Sequence, residues 1–238
     1  MRLLYDDKLA PMTSEIGFLH CAAEMAAREC TEWFAEIGTR VTGREVLGQL
    51  DEVLASLLPL TGIMERRTLF VPTKGKWTAY FDNGWQGPDV ESRVGYLHKR
   101  IGCRGVRAVC TPHTMRKEGQ KWKGRWGATI LSVFSPDAED SLGCERFIYA
   151  MNDGGRWDFE EYGERYEFED IERYERKKVR DRFTPEMLDA YLRHMGIHAF
   201  DEAFYVATKD NPAILLEVDG PPARDMREYT LAEARADY

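Results

Sequence analysis

An α+β fold is what this sequence predicts: a mostly antiparallel sheet packed by an N-terminal helix pair and by C-terminal helices. Three observations carry it. Apolar residues over positions 14–58 recur at steps of three and four. From 68 to 159 they fall into short runs divided by tight-turn residues, and after Thr184 the helical spacing returns. Strands that follow one another through short turns pair antiparallel.

The elements are justified in turn. From Ser14, the positions Ile16, Leu19, Ala23, Ala26, Cys30, Trp33 and Ile37 gather on one helical face, and Gly38 supplies a stop. Thr42 and Glu45 have the spacing of a capping box before the apolar run Val46, Leu47, Leu50, Val53, Leu54, Leu57 and Leu58, which Pro59 ends. Residues 68–71 and 77–81 flank a Gly/Lys turn and read as a hairpin. Asn83-Gly84 and Gly87-Pro88 mark a loop. A helix follows with Val90, Val94, Leu97 and Ile101 inward and Gly102 at its end. Strands are expected at 105–110, 127–134 and 145–151; Asn152 to Gly155 turns the last into 156–159, and Tyr166 to Phe168 resumes the alternation. Residues 169–182 read as a charged helical stretch anchored by Ile171, Tyr174 and Val179. Thr184-Pro185 then caps a helix that Gly196 closes. Short strands at 203–207 and 213–218 complete the sheet, and residues 221–238 form an acidic tail expected to be mobile. With no repeat and no linker in view, residues 1–238 read as one domain on which a helical hairpin, 14–58, is packed.

Composition narrows the function classes. A hydrophobic fraction of 43% over 238 residues supports a packed interior, and a net charge of −8 argues against nucleic-acid binding by the whole surface. Asp6 and Asp7 interrupt the apolar stretch that a signal peptide would need, and no window reaches membrane-span length. Five scattered cysteines do not make a secreted disulfide framework, so reduced thiols in a cytoplasm are expected.

Signatures of catalysis and metal binding are weak. Cys103, Cys110 and His113 lack the close cysteine spacing of structural zinc, and His194 and His198 are separated by the helix-ending Gly196. No metal and no cofactor is expected. The sequence contains no nucleophile elbow, phosphate loop or dinucleotide fingerprint. An enzymatic alternative would use a cleft near Asp82, Cys110 and His113, since Tyr80 to Trp85 is the most distinctive short segment; the plain alternative for Asp82-Asn83-Gly84 is a turn.

Two charged tracts of opposite sign say more. Between Arg104 and Arg125, seven basic residues face one acid, Glu118, with Trp122 and Trp126 interleaved. This suits a single-stranded nucleic-acid binder through the 116–126 loop, or a solvated hairpin whose tryptophans turn inward. Between Asp158 and Glu175, nine acids meet only Arg165 and Arg173, with Tyr162, Tyr166 and Tyr174 embedded among them. Carboxylates interleaved with tyrosines form a docking face for a basic protein, built by Glu160, Glu161, Tyr162, Glu164, Tyr166, Glu167, Glu169 and Asp170. The expectation is a non-enzymatic, acidic binding factor that neutralises a basic partner by occlusion. Its concrete form would be a bacterial immunity or antitoxin-like protein facing a toxin.

Overall fold

The computed structural model, which describes residues 3–138 and 143–236, is a mixed α and β structure built on a nine-stranded antiparallel sheet with five α-helices. In chain order the elements are β1 (Glu15–Leu19), α1 (Ala23–Glu36), β2 (Val41–Val46), α2 (Leu50–Ala55), β3 (Leu60–Thr61), β4 (Arg67–Pro72) and β5 (Thr78–Asp82). Next come α3 (Val90–Ile101), β6 (Gly105–Thr111), β7 (Arg116–Glu118), β8 (Lys121–Lys123), β9 (Ala128–Phe134), β10 (Cys144–Asp153) and β11 (Arg156–Gly163). The chain ends with α4 (Pro185–His194), β12 (Ala213–Val218), β13 (Glu228–Tyr229) and α5 (Leu231–Ala236). The sheet runs β11-β10-β9-β6-β1-β5-β4-β12-β2, while β7 with β8 and β3 with β13 form separate two-stranded pairs.

Strand alternation sorts the sheet into two faces. On one, Ile16, Phe18, Leu69, Phe81, Val106, Leu131 and Ile148 pack with Val53 and Leu54 of α2 and Leu188 and Leu192 of α4. On the other, Leu19, Phe70, Tyr80 and Leu216 meet Ala26 and Cys30 of α1 and Val90, Val94 and Leu97 of α3. Each buried Val, Leu, Ile or Phe side chain among these contributes about 1.5–3 kcal/mol. Contact between α3 and β1 is so close that a Cβ at Gly17 would stand 2.6 Å from Val94 and 2.8 Å from Val90.

The hairpin at 68–81, the helix ended by Gly102 and the helix capped by Thr184 form as their local signals predict. Other segments differ. Residues 15–19 are a central strand, not the first turns of a helix, and α1 begins only at Ala23. Both faces of β1 are covered, so its apolar residues do not alternate with polar ones and their spacing imitates a helix. Thr42 and Glu45 lie in the edge strand β2, and the capping box forms at Gln49, whose main-chain N–H donates to Glu52 at 2.9 Å. Segment 14–58 is therefore strand, helix, strand, helix, and α1 and α2 serve opposite faces of the sheet. Tyr166 to Phe168 is not a strand; residues 169–182 hold two short 3-10 turns, and 203–207 a third with isolated bridges from Tyr205 and Ala207. Part of the C-terminal tail is tied down, since β13 pairs with β3 and Ala234 of α5 is fully buried; residues 237–238 lie outside the described residues.

Candidate functional site

The helices of the second face do not extend over the whole sheet. At the border, Arg107 of β6 binds Glu15 of β1 at 2.7 Å and Glu91 of α3 at 2.6 Å, and α3 reaches β9 where His98 stacks on Phe134. Beyond that border Val109, Ile130 and Tyr149 form an apolar cluster of their own, joined by Ala128, Phe147 and Met151 and separate from both large cores.

Strand β11 completes this face. The register sets Phe147 opposite Tyr162, Tyr149 opposite Glu160 and Met151 opposite Asp158. The Tyr149 hydroxyl lies 3.0 Å from the Asp158 carboxylate and 3.1 Å from that of Glu160. Burial first, then these two carboxylates, push its hydroxyl well above the ordinary tyrosine range, so it stays a donor. Tyr162 projects alongside, 58% exposed. The result is an aromatic and aliphatic floor with a carboxylate rim, in which Ile130 and Tyr149 are themselves buried at 8% exposure each and Phe147 and Met151 are half-buried.

The eight residues expected to form a docking face do not share one surface. Glu160 and Tyr162 lie on the open face, and Glu164 and Glu167 are exposed. Glu161 alternates to the opposite side, where it binds Arg146 and Arg165. Glu169 is buried: its two oxygens receive Nε and Nη2 of Arg146 at 2.9 and 2.6 Å, and it also accepts from the Tyr174 hydroxyl at 2.9 Å and from the Tyr166 main-chain N–H at 3.0 Å. Arg146 is 1% exposed and donates further to the Tyr162 and Gly163 carbonyls. Hydrogen bonds from Arg165 and then Arg146 pull the Glu161 carboxyl below its usual value. Asp170 pairs with Arg173 at 3.0 Å, and Tyr166 sits half-buried in a different cleft. Part of the acidic tract is thus neutralised inside the fold.

Residues of the enzymatic alternative are kept apart. Asp82 lies fully buried under the helices, accepting from Tyr80 at 2.8 Å and from the main-chain N–H groups of Gly84 and Asp89 at 2.9 and 2.8 Å. Burial, then the Glu65 charge, raise its carboxyl to about 7 against those hydrogen bonds. Cys110 is buried in the core on the opposite face, and His113 packs between Trp126 and Trp157 while accepting from the Gly127 N–H at 3.2 Å. Asn83 is structural too, accepting from the Arg66 and Arg67 N–H groups at 2.8 and 2.9 Å. The 116–123 segment is a hairpin arm with every residue exposed; Trp122 is 60% exposed, and Glu118 pairs with Arg116 and Lys123. Among the described residues no group of three or more His, Cys, Asp or Glu side chains could hold a metal ion.

Sequence reasoning missed Phe147, Tyr149, Met151 and Ile130 as members of the face. A signal existed: β10 is apolar in both registers, Ile148 and Ala150 on one side and Phe147, Tyr149 and Met151 on the other. Such a strand calls for cover on both faces. Comparisons with protein-family models, with curated proteins and with solved structures find no match for this chain.

Proposed function

We propose that this chain is a non-enzymatic binding factor that captures a basic protein on the open face of β9, β10 and β11. The occupant is a surface of that protein in which lysine or arginine surrounds an apolar side chain. One observation carries it: an apolar floor of Phe147, Tyr149, Met151 and Ile130, outside both large cores, is rimmed by Asp158 and Glu160. Charge complementarity steers such a partner and fixes its orientation, while the exposed Tyr162 ring and the half-buried Phe147 and Met151 supply area to bury. A toxin neutralised by occlusion is the concrete form of this activity. None of the five cysteines is in a disulfide, which suits a reducing cytoplasm.

The test is a photo-crosslinking residue placed at Tyr162 in the native host. The expected product is one basic protein that, once purified, binds the wild-type chain in equimolar amount and loses affinity for the Asp158→Lys/Glu160→Lys variant. Equal binding to both chains, or no crosslinked protein, defeats the proposal.

A second role is favoured by one observation, the outward Trp122 on a cationic arm. Stacking on that ring with phosphate contacts from Arg116, Lys117, Lys121 and Lys123 would hold single-stranded nucleic acid. Titration with an oligothymidylate checks it: binding that weakens steeply with salt and disappears in Trp122→Ala supports the arm, and salt-insensitive binding eliminates it.

A further inference from the structure

A cleft at the end of the strands away from the β7–β8 arm, where β1 ends and β6 begins, is lined by a ring of seven residues, each touching the next. The His20 N–H donates to the Arg104 carbonyl at 2.9 Å, and the His20 ring lies 4.9 Å from Trp77. Trp77 Nε1 donates to the Met195 carbonyl at 3.0 Å, which brings in the end of α4 and with it His194. The His194 ring stacks on Phe168 at 4.8 Å with only 3° between planes, and Phe168 stacks on Tyr166 at 5.1 Å. Arg104 Nη2 closes the circuit on the Tyr166 hydroxyl at 3.0 Å. The cleft's volume is about 360 Å³, within the range of small-ligand sites.

We propose that this cleft binds a small aromatic acid of one or two fused rings. The order of the ring sets the His20–Trp77 pair on one arc and the Tyr166–Phe168–His194 stack on the other, so a flat ligand in the cleft has aromatic rings along both arcs to contact by face or edge. The polar end is set by Arg104. Its Nη2 is held by Tyr166 and by Glu145 at 2.9 Å, and the Tyr166 hydroxyl donates to the same Glu145 oxygen at 2.6 Å. These bonds orient the guanidinium, and its planar fork suits a carboxylate. Glu145 balances one positive charge, so affinity is set by ring stacking and the aimed hydrogen bonds together. The cleft shares no residue with the open β9–β11 face, so it stands independently of the partner proposed above.

The experiment titrates the full chain with indole-3-carboxylate, benzoate and 2-naphthoate by calorimetry, with indole and acetate as controls, while the His20 and His194 ring protons are followed by NMR. At least one aromatic acid is expected to bind with a Kd below about 1 mM and at least tenfold tighter than indole or acetate, shifting both histidine signals. Arg104→Gln is expected to lower affinity for the acid about tenfold and to leave indole unaffected; Phe168→Leu weakens both. The proposal is overturned if none of the three acids binds, if acetate binds as well as they do, if Arg104→Gln leaves acid affinity unchanged, or if the histidine signals stay still at saturation. A matching circular dichroism spectrum for each variant shows that it has folded.

Discussion

Arg146 and Glu169 meet side-on inside the fold, two parallel hydrogen bonds joining a guanidinium that is 1% exposed to a carboxylate with no exposed side-chain surface. The pair fastens the segment after β11 to β10 and removes Glu169 from the acidic surface. Desolvating two charges is costly, so the pair depends on its further bonds: Arg146 to Glu161 and two carbonyls, Glu169 to Tyr174 and Tyr166.

Removing one partner leaves the other charge buried alone. Arg146→Met is expected to destabilise the chain by about 3–5 kcal/mol. The double variant Arg146→Met/Glu169→Leu is expected to recover part of that loss, because no uncompensated charge remains. Urea unfolding of the three chains checks this; equal loss in the single and double variants refutes it.

Neighbouring acids of β11 should behave oppositely. Glu160→Lys, on the open face, is expected to change stability by no more than about 0.5 kcal/mol. Glu161→Lys sets a cation against Arg146 and Arg165 and is expected to cost about 2 kcal/mol or more. The same unfolding assay decides, and similar values for the two would contradict the alternation of the strand.

Asp82 should leave a mark on the pH dependence of stability. Its carboxyl titrates at about 7 when folded and near 3.8 when exposed, so between those values the folded chain holds a proton that the unfolded chain has released. The contribution of this group is therefore full below about pH 4, declines as pH rises toward about 7, and is level above it. Asp82→Asn is expected to flatten that part of the profile while costing stability through the lost bond from the Asp89 N–H. Denaturant midpoints of both chains between pH 4 and 8 test it, and parallel profiles would refute it.

The thiols should react in a set order. The hydrogen bond with the Cys21 thiol pulls Cys103 below the usual thiol value, whereas burial pushes Cys30 and Cys110 up to about 12. Since the thiolate is the nucleophile, iodoacetamide is expected to label Cys103 well before Cys30 or Cys110 in the native chain, and all three in urea. Peptide mass spectrometry over time measures this; native Cys30 or Cys110 labelling as fast as Cys103 would contradict it.

What the sequence determined by itself was local. Turn residues and caps act within a few positions, so the β4–β5 hairpin, the turn from β10 into β11, α3 with Gly102 and α4 with Thr184 were all legible. Tertiary structure alone decided the rest. Residues 15–19 became a strand because partners on both sides and cover on both faces outweighed a spacing that also suits a helix. The acidic tract was legible as charge but not as a surface. The alternation of β11 sends Asp158, Glu160 and Tyr162 to one face and Glu161 to the other, and only the extent of α1 and α3 leaves the first of these faces open. Such cover depends on residues far apart in the chain, and no local pattern records it.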